Sequence, residues 1–167
     1  NVRLRSLVTL DRDYIDPIEG NDPRTEVILA FPSTAFVVSS THKHTNAAPR
    51  LSIVFPLDRD VSPEEYEPIA RRIAERIGID AFDKTTYEVA RLFYYPSTSK
   101  DGEVSFYEGK GAPISADDML ATYVDYLDAS EYPRSEREDE VISRGIKEAT
   151  DPTTKPGIIG AFFRAYT

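Results

Sequence analysis

The sequence contains no cysteine and no tryptophan, and only two histidines and one methionine occur among its 167 residues. Without thiols the chain can form neither a disulfide nor a thiolate zinc site, so nothing in it indicates an oxidising compartment. No apolar run approaches the roughly 18 residues of a membrane span, and no charged segment followed by an apolar one resembles a secretory signal. We therefore expect a cytoplasmic protein with no membrane partner.

Basic residues are scarce as well, since 20 lysines and arginines face 29 acids and leave a net charge of −9. This balance argues against tight binding of duplex DNA through an extended basic face, because such affinity comes mainly from neutralising phosphates. It does not exclude catalysis on nucleotides, because a metal site needs clustered carboxylates and basic residues can be concentrated locally. The length suits one domain with a real core.

Apolar runs and turn signals alternate along the chain and predict an α+β domain. The strongest local signal is Ser62-Pro63-Glu64-Glu65, with a Ser N-cap, Pro at the first helical position and acids facing the helix dipole. The short gap between the second and third strands favours antiparallel pairing. The predicted strands are 6–10, 35–39, 51–57, 91–95 and 104–107, and the predicted helices are 25–31, 63–77 and 115–127.

The chain divides by composition into three parts. Residues 1–127 carry the predicted strands and helices and form the core domain. Residues 128–155 are acidic, contain proline and are weakly periodic, so we expect a mobile connector. Residues 156–167 form an apparent helix that packs on the core or leads to a downstream region, and we expect a domain excised from a longer protein.

Two carboxylates, Asp11 and Asp13, end the first predicted strand. In an extended strand residues two apart point the same way, so both side chains can hold one divalent cation. Two such ions stabilise the attacking and leaving oxygens of phosphoryl transfer, and oxygen ligands are those that Mg²⁺ and Mn²⁺ prefer. The alternative is a solvated strand end or turn, where Asp is favoured anyway.

Three further clusters contain residues that suit phosphate or metal chemistry. The loop Ser40–His44 holds both histidines beside hydroxyls and a lysine, a set that suits an anion such as a triphosphate, although surface histidines are common. Asp83 follows an apolar residue and is either a third carboxylate ligand or a turn cap. Arg91 suits a phosphate or sugar contact, or an ion pair with one of the many acids.

A second Asp-x-Asp, Asp58 and Asp60, complicates the choice of metal ligands. Both acids follow a strand, but they also lead into the Ser62 cap, where acids favourably precede a helix. We interpret them as residues at a helix start first and as alternative ligands second.

In their order along the chain, these clusters resemble the archaeo-eukaryotic primase superfamily, in which a strand ending in Asp-x-Asp is followed by Ser-x-His and then by an apolar residue and Asp. The chain is most similar to primase-polymerase domains at the amino end of phage, prophage and plasmid replication proteins of the virulence-associated E-like type. The similarity covers nearly the whole chain. It is carried by Ser6–Asp13, Ser40–Thr45, Pro56–Leu57, Glu65–Tyr66, Gly78–Asp80, Phe82–Asp83, Arg91–Leu92, Tyr95–Ser97, Asp151–Pro152 and Lys155–Phe162.

The resemblance implies an RRM-like, mostly antiparallel sheet backed by helices, with residues 1–127 as the catalytic core. It also implies that Asp11, Asp13 and Asp83 bind Mg²⁺ or Mn²⁺. The expected activity is template-directed nucleotidyl transfer with two metal ions, acting on nucleoside triphosphates along a single-stranded DNA template. A helicase-type ATPase, fused or associated, is the expected protein partner.

The resemblance also assigns the nucleotide contacts. The Ser-x-His pattern falls on Ser40 and His42, whose imidazole would contact the phosphates of the incoming nucleotide. His44 is a second candidate in the same loop, and His42 is preferred because it has the right spacing from Ser40. Further phosphate contacts are expected from Lys43, Arg50 and Arg91.

Two other functions remain open at this stage. The domain could be a non-catalytic module that binds nucleotide or single strands for a replicative helicase, with some of its ten tyrosines stacking on bases. It could also be a rolling-circle replication nuclease with a His-x-His metal pair and a tyrosine nucleophile such as Tyr123 or Tyr126. Lys43 lies between the histidines in a polar loop, which fits this second chemistry poorly.

Overall fold

The computed structural model describes residues 2–13, 23–45, 48–100 and 102–139. Its contacts divide the chain into two units, residues 1–133 and 134–167, and the described fold lies almost wholly in the first. The predicted helix 156–167 and the later part of the predicted connector lie outside the described residues. Within the described ranges no helix has the length and apolarity needed to cross a bilayer.

Among the described residues four strands form one antiparallel sheet in the order β1-β3-β2-β4. The α+β class and the antiparallel pairing of the second and third strands are therefore confirmed. The third strand runs four residues past its predicted end at 57, and the last strand lies two residues later than predicted. The strands are β1 Arg5–Arg12, β2 Phe36–Ser40, β3 Leu51–Val61 and β4 Phe106–Gly109.

The predicted strand 91–95 is wrong, because this segment has no regular secondary structure. The Arg5 side chain donates hydrogen bonds to the carbonyls of Val89 and Arg91, which a strand partner would otherwise use. Beyond this anchor, Leu92, Tyr94 and Tyr95 are 80%, 93% and 94% exposed. The adjacent side chains Tyr94 and Tyr95 are both exposed, so neither is buried against a sheet face, and the apolar composition of the segment does not make it a strand.

In the described part of the chain three α-helices pack around the sheet: α1 Pro23–Ala30, α2 Pro63–Ile77 and α3 Ala116–Leu120. The predicted start of α2 is confirmed, and the Ser62 N–H donates to Glu65 Oε2 at 2.8 Å as in a capping box. Helix α3 ends at Leu120 and not near residue 127. The Glu131 carboxylate accepts the N–H groups of Val124 and Asp125, so side-chain bonds replace the helical ladder there.

The core lies between one face of the sheet and α2. Alternate residues of β1 and β3 point into it, and the register pairs Val8 with Phe55 and Leu10 with Ile53. Because side chains alternate along a strand, Asp11, which pairs with Ser52, lies on the opposite face. The same period that buries Val8 and Leu10 therefore keeps the Asp11 carboxylate out of the apolar core.

A buried threonine fixes the end of β1 to the short 3₁₀ turn Lys84–Tyr87. The Thr86 hydroxyl accepts the Asp11 N–H at 2.9 Å and donates to the Thr9 carbonyl at 3.0 Å, and the side chain is fully buried. The Asp83 N–H donates to the Asp11 carbonyl at 3.0 Å. These bonds occupy the outer edge of β1 and bring Asp83 beside Asp11.

We predict that Thr86→Val lowers the free energy of unfolding by about 2 kcal/mol, because valine keeps the shape but leaves the Asp11 N–H and the Thr9 carbonyl buried without a partner. Urea unfolding followed by circular dichroism measures the change. Thr122→Val is the matched control, since the exposed Thr122 hydroxyl bonds only the Met119 carbonyl within its own turn. That control should stay within about 0.5 kcal/mol, and equal losses in both variants would contradict the assigned role of Thr86.

Candidate functional site

A cleft of about 760 Å³ lies where β1 and β2 end and β3 begins. Its floor comes from the end of β1 and the start of β3, and its walls come from the loop after β2 and from the segment after the 84–87 turn. The residues that line it are Asp11, Asp13, Thr41, His42, Lys43, Arg50, Ser52, Glu88, Ala90, Arg91, Leu92, Phe93, Tyr94, Tyr95 and Ser97.

Asp11 is the most perturbed acid of the cleft. Its side chain is 21% exposed, and burial raises its pKa from 3.8 to about 6, opposed by Arg91 and reinforced by Asp13 and Asp83. Neighbouring carboxylates disfavour one another's charge, and desolvation adds to that cost. A positive charge placed beside Asp11 would therefore be stabilised more strongly than one beside an ordinary surface acid.

Two arginines face the acids across the cleft. Arg50 Nη1 lies 3.2 Å from Asp13 Oδ2, and Arg91 Nη2 lies 3.8 Å from Asp11 Oδ2. Both guanidinium groups are more than a third exposed, so these ion pairs are open to solvent and individually weak. These ion pairs keep two guanidinium groups at the mouth of the cleft, where both remain accessible to a ligand.

The charges that line the cleft balance, although the chain as a whole carries −9. Three cationic side chains, Lys43, Arg50 and Arg91, face three carboxylates, Asp11, Asp13 and Glu88. The excess of acids therefore lies outside the cleft. The cleft can accept an anion at its cationic side and a cation at its acidic side.

Asp83, the third predicted carboxylate, lies next to Asp11 but does not line the cleft. Its Oδ1 accepts from the Thr85 N–H at 2.9 Å and the Thr85 hydroxyl at 3.0 Å, so it caps the 84–87 turn. The turn-cap interpretation of Asp83 is therefore confirmed, and its role as a metal ligand stays a prediction. The charge of Asp83 also contributes to raising the pKa of Asp11.

The two histidines of the 40–44 loop have different environments. His42 is exposed and lines the cleft, with Nδ1 3.4 Å from Ser97 Oγ. His44 is 6% exposed, and its Nδ1 accepts the Arg50 N–H at 3.1 Å. His42 is therefore placed to contact a ligand in the cleft, and His44 holds the backbone from which Arg50 extends.

Ser40 lies away from the cleft lining. It is 4% exposed, and its Oγ accepts the Ser105 N–H at 3.0 Å. Its hydroxyl thus joins the end of β2 to the segment before β4. Of the nine predicted site residues, the structure brings six into the cleft lining: Asp11, Asp13, His42, Lys43, Arg50 and Arg91.

Sequence reasoning missed several residues of the site. Thr86 positions Asp11 through backbone contacts, and no local pattern marks a threonine for that role. Tyr94 and Tyr95 line the cleft, whereas their aromatic run predicts a strand. The signal that could have corrected this is the absence of polar alternation between Leu92 and Tyr95, together with the proline that follows.

The described part of the chain contains no group of three or more acidic, histidine or cysteine side chains already close enough to hold a metal ion. The acidic side of the cleft offers two carboxylates, with the Ser52 and Thr41 hydroxyls also lining the cavity. These are oxygen donors, the type that Mg²⁺ and Mn²⁺ prefer. The donor chemistry, together with the raised pKa of Asp11, fits a divalent cation.

A protein-family model described as the VapE N-terminal domain matches residues 1–135. The chain belongs to the VapE N-terminal domain family. This confirms the expected kinship with virulence-associated E-like replication proteins of phages and plasmids. No curated protein and no solved structure matches the chain at a significant level. The match spans the whole sheet of this VapE N-terminal domain and every residue that lines its cleft.

In this VapE N-terminal domain the raised pKa of Asp11 predicts a specific pH dependence of stability in buffer containing EDTA. The folded state holds the Asp11 proton up to about pH 6, whereas the unfolded chain releases it near 3.8. Stability from this group is therefore present below pH 4 and lost as the pH rises through 6. Asp11→Asn, which cannot ionise, should be more stable than the wild type at pH 7.5 by on the order of 2 kcal/mol.

The measurement is urea unfolding of the wild type and of Asp11→Asn between pH 4 and pH 8. The difference between the two should be smallest near pH 4, grow up to about pH 6 and then level off. If the variant instead became the less stable protein as the pH rises, the ion pair of Asp11 with Arg91 would outweigh the cost of burying the carboxylate.

Proposed function

We propose that this domain is a template-directed nucleotidyltransferase, the primase-polymerase domain of a phage or mobile-element replication protein. The observation that carries the proposal is the cleft in which Asp11 and Asp13 face Lys43, Arg50 and Arg91. Acids on one side and cations on the other suit a metal–triphosphate complex, which presents both signs of charge. Membership of the VapE N-terminal domain family supports a role in phage or plasmid replication, and the primase-polymerase assignment rests on the resemblance of the sequence motifs.

Asp11 and Asp13 would hold the divalent ions, with Asp83 completing the carboxylate set through the oxygen that does not cap the turn. Bound there, Mg²⁺ or Mn²⁺ would lower the pKa of the attacking 3′-hydroxyl and neutralise charge on the triphosphate. The fixed position of the Asp11 backbone, held by Thr86, keeps its carboxylate at the edge of the cleft. The clustered acids thus form the region of the cleft in which positive charge is stabilised.

The cationic residues would bind and orient the triphosphate. Arg50 and Arg91 present guanidinium groups close to the acids, and a planar fork of donors matches phosphate oxygens. Lys43 and His42 extend from the loop after β2 into the same cleft. In the reaction, the 3′-oxygen forms a bond to the α-phosphorus while the bond to pyrophosphate breaks, so correct alignment of the two is the main task of the protein.

The other two functions find less support in the geometry. A rolling-circle nuclease needs both imidazoles at one metal, whereas His44 accepts a backbone N–H and His42 points into the cleft. Tyr123, a candidate nucleophile, is buried and donates to the Pro68 carbonyl. A non-catalytic nucleotide-binding module fits the cleft better, because the two acids already have arginine partners, and it is the second candidate.

The test is primer synthesis and extension on single-stranded DNA with Mg²⁺ or Mn²⁺. The double variant Asp11→Ala with Asp13→Ala should lose more than roughly 100-fold in activity, because even loss of an outer partner of a metal costs about 10- to 100-fold. Undiminished product from this variant would overturn the proposal.

Asp60→Ala is the matched control, since Asp60 is an exposed acid of the second Asp-x-Asp near the far end of β3. Asp60 lies eight positions after Ser52, the partner of Asp11, a distance of about 26 Å along a strand. The primer-synthesis activity of Asp60→Ala should equal that of the wild type. Metal-dependent binding of nucleoside triphosphate by the wild type without any product would favour the non-catalytic module.

A further inference from the structure

The residues after Arg91 form a surface for which the catalytic proposal has no use. Leu92, Phe93, Tyr94 and Tyr95, hereafter the exposed aromatic segment, all line the cleft. Leu92, Tyr94 and Tyr95 are at least 80% exposed, and neither tyrosine ring has a hydrogen bond or ring contact within the described ranges. Large apolar side chains presented together in this way indicate a binding surface more often than a solvated face.

These two tyrosines differ from every other tyrosine that the structure describes. Tyr66, Tyr87 and Tyr123 are buried. The rest are half-buried and make other contacts: Tyr107 packs on Phe36, Tyr126 packs against the core, and Tyr132 stacks edge-on against Tyr123. Only Tyr94 and Tyr95, among the described tyrosines, have their rings available to a ligand.

The exposed aromatic segment extends from a fixed base. Arg5 Nε donates to the Val89 carbonyl at 3.0 Å, and Arg5 Nη2 donates to the Arg91 carbonyl at 2.9 Å. The Arg5 guanidinium also lies over the ring of buried Tyr66, 5.1 Å from its centroid, which ties this anchor to α2. The backbone is therefore anchored as far as Arg91, and the exposed rings of Tyr94 and Tyr95 follow this anchor along the cleft.

We propose that the exposed aromatic segment is the platform on which bases of the single-stranded template stack as the strand passes the cleft. Stacking on tyrosine rings accepts any base, because every base has a π-face. Lys43, Arg50 and Arg91 line the same cleft, and when no triphosphate is bound they are the cations that the phosphates of such a strand would meet. Adjacent rings and adjacent cations match a ligand in which bases and phosphates alternate.

Exposure favours a strand over the base of a single incoming nucleotide. Small-molecule sites enclose most of the surface of their ligand. At 93% and 94% exposure, Tyr94 and Tyr95 have no opposing wall that would enclose one base. An open platform suits a polymer whose successive bases stack on one side only. The identity of this strand as a template rests on the proposed function, but the stacking contact does not.

The test compares two probes, a fluorescein-labelled oligothymidylate and an abasic strand of equal length, by fluorescence anisotropy in EDTA without nucleotide. Tyr94→Ala with Tyr95→Ala should weaken binding of oligothymidylate by roughly ten-fold or more, because loss of one base–aromatic stack lowers the affinity by about that factor. The same double variant should bind the abasic strand as the wild type does, because no base is left to stack. Replacing both tyrosines with phenylalanine should restore wild-type binding.

Salt dependence separates stacking from charge in the same assay. Lys43→Gln should lower the slope of log affinity against log salt concentration by about 0.7, since one phosphate contact is lost. The double tyrosine variant should keep the wild-type slope. Phe106→Ala is the matched control, because Phe106 is an aromatic residue 63% exposed on β4 that does not line the cleft, and it should bind as the wild type does.

Three results would overturn the stacking platform: unchanged affinity in the double alanine variant, an equal loss for the abasic strand, or an equal loss in Phe106→Ala. A primer-synthesis assay on the same variants tests the proposed function independently of the stacking platform. Loss of strand affinity in the tyrosine variant of a protein that makes no product would retain the platform and reject the polymerase. Template-dependent synthesis by a variant with unchanged affinity would retain the polymerase and reject the platform.

Discussion

The cleft depends on the attachment of the end of β1 to the turn at 84–87. β1 is an edge strand, so the backbone groups of Thr9 and Asp11 on its outer side would otherwise face solvent or a foreign strand. The Thr86 hydroxyl and the Asp83 N–H bond to those groups instead. A single buried hydroxyl thus closes a contact between residues more than 70 positions apart and converts an exposed edge into the rigid margin of a site.

The electrostatics of the cleft follow from that attachment. Bringing Asp83 beside Asp11 adds a second acid to a carboxylate that Asp13 already repels, and burial adds to the cost. Arg91 and Arg50 offset part of this cost from the solvent side, at distances that leave both guanidinium groups exposed. On the proposed function, the same arginines would meet the triphosphate once a divalent ion takes over the neutralisation of the acids. The three acids repel one another in the free protein, and the bound metal ion and triphosphate would then stabilise their arrangement.

Local signals in the sequence were enough to predict β1 and the start of α2, because each depends on neighbours within a few residues. The choice between His42 and His44 was not local, since burial of His44 depends on where the Arg50 backbone passes. Residues 91–95 have the composition of a strand but form an exposed segment beside the cleft, and composition does not distinguish the two when burial is unknown. Thr86 had no signal at all, since its partners are backbone atoms of a strand far away in the chain.

An acidic chain can still bind a polyanion if the charges near the ligand differ from the average. At physiological ionic strength, interactions between exposed charges are largely screened beyond about 8 Å, so the net charge of −9 acts weakly on a strand that passes the cleft. Near the strand, Lys43, Arg50 and Arg91 balance the acids that line the same cavity. With so few cations available, phosphate contacts alone would give weak binding, and contacts that do not depend on charge must supply the rest. Exposed aromatic rings beside those cations provide such contacts by stacking on bases. The exposure of Tyr94 and Tyr95 adds nothing to the stability of the fold, but on this proposal it serves the binding of a single strand.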